Sequence, residues 1–256
     1  MRDDPGVALL RVASFNIRNG RAYDGCQSWP FRRRSTLATI RALDADVLGL
    51  QEVFGFQMRW LRRKLPEYDA VWAGRDDGRR GEGCPILVRR TAGRLVRGRT
   101  TWFGEGLQRP GMRWEGASFA RLVTSVRIEL TGGGAVEVAN THLDERSGAR
   151  RGRSAEQLLA SLDPTMPQLV LGDLNAAPDD PLLARFAAAG LRDVLRDDPR
   201  GTIHQFTGRR DGRRIDYVLV GPSFDVVDAA VRNEHVGRLL PSDHWPVVVT
   251  VRTPGG

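Results

Sequence analysis

Polar side chains that can bind metals or move protons close several apolar, strand-like runs of the chain. They are Asn16, Glu52, His142, Asp173, Asn175, Asp216, Asp243 and His244. Each one alone is typical of a helix cap or a solvated turn, but together they would gather like charges that a cation must neutralise. Because the set is rich in oxygen ligands and poor in nitrogen ligands, it favours Mg2+ or Mn2+ over zinc and indicates phosphoryl chemistry.

Eleven strand-like runs must position these residues, because loops at strand ends present side chains to a common site. The runs cover residues 10–17, 47–51, 70–73, 85–88, 94–103, 119–130, 135–141, 169–174, 215–220, 224–231 and 246–251. Apolar residues at helical spacing predict four helices, over 35–43, 56–65, 154–162 and 182–189. Turns between neighbouring runs, as at 131–134, indicate hairpins. We therefore expect two packed, largely antiparallel sheets flanked by helices.

The composition is that of one globular domain. The chain has 256 residues, of which 41% are hydrophobic and 27% charged, and no run reaches the length of a membrane span. We expect one domain over residues 1–256, with its core at about 8–253, in a monomeric protein. The N-terminus lacks the basic start and long apolar stretch of a secretory signal, so we expect a cytoplasmic protein. Cys26 and Cys84 have no metal-ligand spacing, which predicts reduced thiols.

The charge of the chain is strongly positive. It carries 39 basic and 31 acidic residues, for a net charge of +8, and every basic residue except Lys64 is arginine. Arginine forks match phosphate, so those beside the polar strand ends predict a positive rim that binds phosphate-bearing partners, nucleic acid above all. This predicted rim comprises Arg18, Arg21, Arg79, Arg80, Arg146, Arg150, Arg151, Arg153, Arg209, Arg210, Arg213 and Arg214. A GC-rich genome would also enrich arginine, and Arg32–Arg34, in a helical region, is expected to be solvated.

Six short motifs resemble those of a known enzyme family and stand in the same order. They are Ser14–Arg18, Gln51–Glu52, Asn140–Asp144, Gly172–Asn175, Arg214–Val218 and Ser242–Pro246. This set is similar to the motifs of the endonuclease/exonuclease/phosphatase superfamily, which has the DNase I-like fold, and it spans nearly the whole chain. The resemblance implies an α/β fold, a four-layer α/β/β/α sandwich. His142 resembles the histidine-containing branch of the superfamily rather than the exonuclease III type.

The resemblance implies a metal site built from three residues. Glu52 would be the principal Mg2+ ligand, with Asn16 and Asp243 as further ligands or as groups beside them. Mn2+ would be able to substitute for Mg2+ at such a site.

The resemblance also implies roles for residues around the substrate phosphate. Asp173 would orient and deprotonate the attacking water, and beside a cation its pKa is expected to stay low, so that it acts mainly by positioning. Asn175 would hold a non-bridging phosphate oxygen. Asp216 would orient His244, and this pair would stabilise the pentacoordinate phosphorus.

Three further residues complete the implied site. His142, with Glu82 as its partner, would donate a proton to the leaving oxygen when it is protonated. Arg121 matches an arginine that reaches the substrate phosphate in some members. The alternatives are that Glu82 is a turn residue and that Arg121 is an exposed arginine at a strand edge.

These observations predict a Mg2+-dependent phosphoester hydrolase that uses in-line attack by water. The first expected substrate is nucleic acid, cleaved at its phosphodiester bonds, because the arginine rim offers more charge than one phosphate needs. The alternative substrate is a small molecule such as a nucleotide, an inositol phosphate or a lipid headgroup. A non-catalytic phosphate-binding module is the third hypothesis, and it would require that at least one motif residue be missing.

Overall fold

The strands and helices are seen in a computed structural model, which describes residues 9–106, 109–234 and 237–253. The strands are β1 (Leu9–Asn16), β2 (Val47–Gln51), β3 (Val53–Phe54), β4 (Tyr68–Val71), β5 (Glu82–Gly83), β6 (Ile86–Arg89), β7 (Gly93–Trp102), β8 (Leu122–Leu130), β9 (Ala135–His142), β10 (Gln168–Asp173), β11 (Arg192–Asp193), β12 (Asp216–Val220), β13 (Asp225–Val231) and β14 (Val247–Arg252). The α-helices are α1 (Trp29–Leu43), α2 (Gly55–Lys64), α3 (Gly148–Ser161) and α4 (Pro181–Ala188). The ends of the predicted domain lie outside the described residues.

All eleven predicted strands and all four predicted helices are present. Helices α1 and α3 begin earlier than their apolar spacing predicts, because local signals start them. Pro30 stands in the first turn of α1, and the Ser147 hydroxyl accepts a hydrogen bond from the Arg150 backbone N–H at the start of α3. Within the described ranges, no helix is long and apolar enough to cross a membrane.

The strands form two six-stranded sheets and one small hairpin of β3 and β5. The first sheet has the order β13–β14–β1–β2–β6–β4, and the second has the order β11–β12–β10–β9–β8–β7. The sheets are largely antiparallel, as predicted, and each contains one parallel pair: β1 with β2 in the first sheet, and β9 with β10 in the second. Helices α1 and α3 make these two crossovers, which a parallel pair requires.

Three apolar clusters hold four layers together. Val12 of the first sheet and Leu171 of the second belong to the cluster between the sheets. Ile40 of α1 packs on the outer face of the first sheet, and Leu158 and Phe186 pack on that of the second. The α/β/β/α sandwich is therefore confirmed.

The register of the second sheet places three acid–base residues side by side. In the parallel pair of β9 and β10, His142 stands opposite Asp173. In the antiparallel pair of β10 and β12, Asp173 stands opposite Asp216. Residues that are 31 and 43 positions from Asp173 thus meet at one sheet edge.

The first sheet brings its own polar residues to the corresponding edge. Asn16 ends β1 opposite Gln51, and Glu52 follows directly. Strand β14 runs antiparallel to β1, so Asp243 and His244, which precede it, lie beside the end of β1.

Candidate active site

The polar strand ends surround a pocket of about 590 Å3. Asn16 and Asp216 lie behind its walls, where both side chains are fully buried. The structure therefore brings all ten predicted site residues together. The eight that line the pocket are Glu52, Glu82, Arg121, His142, Asp173, Asn175, Asp243 and His244.

Backbone strain is concentrated in this pocket. Glu52 and Asn175 have φ values of 63° and 51°, in the left-handed region that residues other than glycine seldom adopt. Arg18 and Phe206, which also line the pocket, have φ values of 54° and 59°. Strained residues of this kind cluster at active sites, where the surrounding structure holds them in place.

A histidine–aspartate pair lies at one side of the pocket. His244 Nδ1 is 2.8 Å from Asp216 Oδ2, and both side chains are buried. Burial lowers the pKa of His244, but the charge and hydrogen bond of Asp216 outweigh that effect and raise this pKa well above its usual value. His244 is therefore a cation at neutral pH, held in one orientation by Asp216.

The Asp173 carboxylate is held by two donors. Asn16 Nδ2 donates to its Oδ2 at 3.0 Å, and the Asn175 backbone N–H donates to its Oδ1 at 3.0 Å. Burial and the charge of Asp216 raise the pKa of Asp173 to about 7. The protein's own groups thus do not give Asp173 the low pKa expected from sequence, and they equip it to accept a proton near neutral pH.

The Glu52 carboxylate receives three hydrogen bonds. Asn16 Nδ2 donates to Oε1 at 3.0 Å, and the backbone N–H and side chain of Asn19 donate to Oε2 at 2.8 and 3.2 Å. Burial would raise the pKa of Glu52, but the neighbouring imidazoles of His142 and His244 and the hydrogen bonds from Asn16 and Asn19 lower it to about 2. Glu52 is thus ionised across the whole physiological range.

The donor set of this pocket fits a hard divalent cation. Glu52 is an ionised carboxylate in a buried position, and Asp243 is a second carboxylate in the same pocket. Asp173, Asp216 and His244 form a further group whose ligand atoms lie within 4.8 Å of one another. Oxygen ligands of this kind suit Mg2+ or Mn2+. Asn16 turns its amide nitrogen toward Glu52 and Asp173, so in this orientation it positions these carboxylates.

His142 does not have the surroundings expected from sequence. Its Nε2 is 3.6 Å from Asp173 Oδ2, and the oxygen Oε2 of Glu82 pairs with Arg75 Nη1 at 2.5 Å instead. Burial and the charge of Arg121 lower the pKa of His142 well below its usual value. In the free protein, burial and the charge of Arg121 disfavour a protonated His142, and Glu82 pairs with Arg75 rather than with His142.

Arg121 is a buried residue of the pocket wall and not an exposed arginine at a strand edge. Its side chain is 8% exposed, and its Nη2 donates to Glu145 Oε2. Sequence reasoning missed Glu145 and Arg75, whose contacts depend on how distant segments meet. Arg18 was predicted only as part of the rim, but it also lines the pocket, where its Nη1 lies 3.5 Å from Asp243 Oδ2.

Arg32 is the other residue whose position the sequence did not predict. It is fully buried, whereas Arg33 and Arg34 are exposed as expected. Its Nη1 donates to the carbonyls of Ile17 and Pro241 at 2.7 and 2.9 Å, and its Nη2 donates to the carbonyl of Arg18 at 2.9 Å. It therefore ties the loop after Asn16 to the loop before Asp243.

We expect Arg32→Gln to lower the free energy of unfolding by about 3 kcal/mol, because at least two buried carbonyls would lose their donor. Urea denaturation measures this change. Arg34→Gln, at an exposed neighbouring position, is the matched control and should change stability by less than about 0.5 kcal/mol. Equal effects of the two substitutions would contradict a structural role for Arg32.

Comparisons with solved structures give the same fold. A mannosyl-6-phosphatase from Bacteroides thetaiotaomicron is 27% identical to this chain, with a TM-score of 0.86, and the match covers 94% of this chain and 99% of that one. An endonuclease/exonuclease/phosphatase from Bacteroides vulgatus is also 27% identical, with a TM-score of 0.89 and coverage of 96% and 99%. The human Nocturnin catalytic domain, at 22% identity, a TM-score of 0.74 and coverage of 95% and 93%, shares the fold.

The sequence of the chain matches the model of one protein family. No curated protein matches the chain. The model of the Endonuclease/Exonuclease/phosphatase family matches residues 13–244, which includes all ten predicted site residues. Members of this family typically depend on a divalent metal, in agreement with the donor set of the pocket. The chain belongs to the endonuclease/exonuclease/phosphatase family, and it is a hydrolytic phosphoesterase.

Proposed function

We propose that this protein is a divalent-metal-dependent phosphomonoesterase that acts on a small phosphorylated molecule. The observation that carries the proposal is that the arginines of the pocket are already in ion pairs with carboxylates. Each of the three arginines that line it contacts a carboxylate: Arg18 with Asp24, Arg75 with Glu82, and Arg121 with Glu145. A volume of about 590 Å3 suits one small ligand.

The predicted arginine rim is largely neutralised, which argues against nucleic acid as the first substrate. Eight of its twelve arginines form ion pairs with carboxylates. Arg150 pairs with Asp144 at 2.9 Å, for example, and Arg214 pairs with Asp193 at 2.7 Å. An arginine that is already paired contributes little net field to the attraction of a polyanion.

One structural neighbour supports a small substrate. The mannosyl-6-phosphatase that shares 27% identity with this chain acts, by its name, on a phosphorylated sugar. A non-catalytic binding module is not supported, because the chain belongs to a family of hydrolytic phosphoesterases and has every motif residue.

Four polar residues in and behind the pocket wall have roles in this reaction. Asp173 orients the attacking water and accepts its proton, because its pKa lies near 7. The water oxygen forms a bond to phosphorus while the bond to the leaving oxygen breaks on the opposite side. His244, as a cation fixed by Asp216, stabilises the charge on the phosphoryl oxygens, and Asn175 binds one of them.

A bound Mg2+ ion would supply further charge stabilisation to the phosphoryl group. Glu52 and Asp243 are the residues that would hold it, with Asn16 positioning Glu52.

A nuclease that cleaves nucleic-acid phosphodiesters is the second candidate. The observation in its favour is that Arg21, Arg79, Arg210 and Arg213 are exposed and form no ion pair with a described residue. These four arginines remain available for backbone phosphates.

Hydrolysis at two salt concentrations separates the candidates. With Mg2+ present, we expect p-nitrophenyl phosphate to be cleaved at rates that change less than about threefold between 50 and 200 mM salt, because one small phosphate releases few counterions. Single-stranded DNA, double-stranded DNA and RNA serve as the polymer substrates in the same panel. Cleavage of a polymer that high salt suppresses by about tenfold or more would instead establish the nuclease.

A further inference from the structure

Two ion pairs stand side by side in the wall of the pocket. Arg75 Nη1 lies 2.5 Å from Glu82 Oε2, and Arg121 Nη2 contacts Glu145 Oε2. The Arg75, Glu82 and Arg121 side chains are at most 15% exposed, whereas Glu145 is 37% exposed toward the solvent. The in-line mechanism assigns no role to any of these four residues.

We propose that these two ion pairs, together with the ring of Phe119, form the subsite for the leaving group, and that this group is a neutral polyhydroxylated one. The substrate is then the phosphomonoester of a sugar or polyol that carries no second phosphate. This inference rests on the phosphomonoesterase function proposed above, and it names the substrate class for that function.

The position of the subsite fits a leaving group. All five residues line the same pocket as Asp173 and His244. Arg75, Glu82 and Arg121 also line a small cavity together with Glu52 and His142, so the ion pairs lie next to the metal-binding carboxylate. The charge of Arg121 contributes to lowering the pKa of His142, which lines the same pocket. A substrate whose phosphate lies at Asp173 therefore extends toward the two ion pairs.

The charges of the subsite select against a second phosphate. Each arginine of the subsite is already paired with a carboxylate, so a second phosphate would find no unpaired cation among the subsite residues. Breaking the Arg75–Glu82 pair to release Arg75 would leave a carboxylate without its partner in a largely buried position, which is unfavourable. The pairs thus act as a filter against polyanionic substrates.

The same ion pairs suit hydroxyl groups. A carboxylate has about four acceptor positions and a guanidinium has five N–H donors, so each pair keeps unused positions after its own contact is made. Glu82 has a second oxygen that can accept an O–H, and Arg121 has N–H groups that can donate to a sugar oxygen. The second oxygen of Glu145 lies 3.6 Å from Arg146 Nε and keeps a lone pair for a hydroxyl. A sugar hydroxyl both donates and accepts, and it therefore satisfies both members of a pair.

Phe119 supplies the apolar part of the subsite. Its ring is held by the Arg75 guanidinium, whose central carbon lies 4.2 Å from the ring centroid. The residue is nonetheless 46% exposed in the pocket. A rigid, partly exposed aromatic ring beside hydrogen-bonding groups offers contact area to the C–H face of a sugar.

The test compares fructose 6-phosphate with fructose 1,6-bisphosphate, which differ by one phosphate. In Mg2+, we expect the wild-type protein to hydrolyse the monophosphate with a kcat/KM at least tenfold higher. In either case water supplies the oxygen of the inorganic phosphate, Asp173 accepts a proton of that water, and the sugar oxygen takes a proton from solvent and leaves as a hydroxyl. p-Nitrophenyl phosphate serves as the reference monoester.

Glu145→Gln tests the filter itself. Because the substitution removes the charge that neutralises Arg121, we expect the preference for the monophosphate to fall at least threefold, mainly through a lower KM for the bisphosphate. Glu156→Gln removes an exposed glutamate that is paired with Arg185 and lies outside the pocket, and it should leave the preference unchanged. A thermal melt of each variant verifies that it is folded.

Two outcomes would overturn the inference in different ways. Equal hydrolysis of the two fructose phosphates, or a preference that Glu145→Gln does not change, removes the subsite and leaves the phosphomonoesterase intact. Failure to hydrolyse any monoester, p-nitrophenyl phosphate included, removes the proposed function and the subsite with it.

Discussion

Asp173→Asn is expected to abolish hydrolysis and, at the same time, to stabilise the metal-free protein. Activity should fall at least about 10³-fold, because the amide cannot accept the proton of the attacking water. The measurement is kcat/KM with p-nitrophenyl phosphate in Mg2+. Asp179→Asn, which replaces a nearby aspartate that does not line the pocket, is the matched control and should keep the wild-type rate.

The stability change follows from the pKa of Asp173. Burial and Asp216 raise this pKa to about 7, from an ordinary value of 3.8, so the folded protein binds the proton more tightly than the unfolded chain. This preference favours folding fully below the unfolded pKa, and it is lost as the pH rises toward 7. At pH 8 the wild-type protein must therefore keep an unfavourable buried charge, which asparagine removes.

We expect Asp173→Asn to raise the free energy of unfolding at pH 8 by about 2 kcal/mol in EDTA. This value is smaller than the full pKa shift would give, because Asn16 Nδ2 loses its acceptor if the new amide presents its nitrogen. At pH 4 the gain should vanish, since Asp173 is then protonated. A variant that is less stable than the wild type at both pH values would contradict the conclusion that the buried charge of Asp173 destabilises the folded protein.

The pH profile of the wild-type enzyme gives an independent check of Asp173 as the proton acceptor. Asp173 must be deprotonated to accept a proton, so kcat/KM should fall as the pH drops below about 7. The cation that this site fits would shift the acidic limb to lower pH, because a positive charge favours the carboxylate. An acidic limb well above pH 7 would contradict this role.

Glu52→Gln is expected to cause the second-largest change in activity, because it weakens the binding of the metal. Glu52 is ionised, with a pKa of about 2, and its loss removes a full charge from the site that fits Mg2+. We expect the Mg2+ concentration for half-maximal activity to rise about 100-fold, of the order seen when support of a metal site is lost. Glu156→Gln again serves as the control.

A thermal melt gives a readout of Glu52 that does not depend on turnover. Mg2+ at 100 times its dissociation constant should stabilise the wild-type protein by about 2.7 kcal/mol, and the Glu52→Gln variant by less than about 0.5 kcal/mol. The same stabilisation of both proteins would show that the cation binds elsewhere, with the Asp173, Asp216 and His244 group as the alternative position.

The identity of the strands and of the principal site residues could be predicted from the sequence because both signals are local. An apolar run such as 169–172 predicts a buried strand by its own composition, and Asp173 marks where that strand ends. The order of six such motifs carried the family resemblance, which the family match confirms. The parallel pairings were not predicted, because they depend on crossovers rather than on neighbouring residues.

The partners of the arginines could not be predicted in the same way. Arg121 and Glu145 are 24 residues apart, and Arg32 and Pro241 are 209 apart, so only sheet register and layer packing bring them together. The sequence counts the charges but does not pair them, and the expected positive rim is mostly neutral for this reason. The preference for nucleic acid rested on that count.

The sequence by itself determined the strands, the acidic and imidazole residues at their ends, and hence the class of reaction. Only the tertiary structure decided the protonation states and the charge of the pocket. Burial, together with groups on other strands, raises the pKa of Asp173 and lowers that of His142, and the pocket arginines are paired with carboxylates elsewhere in the sequence. Electrostatic energies depend on burial and distance, which are properties of the folded chain.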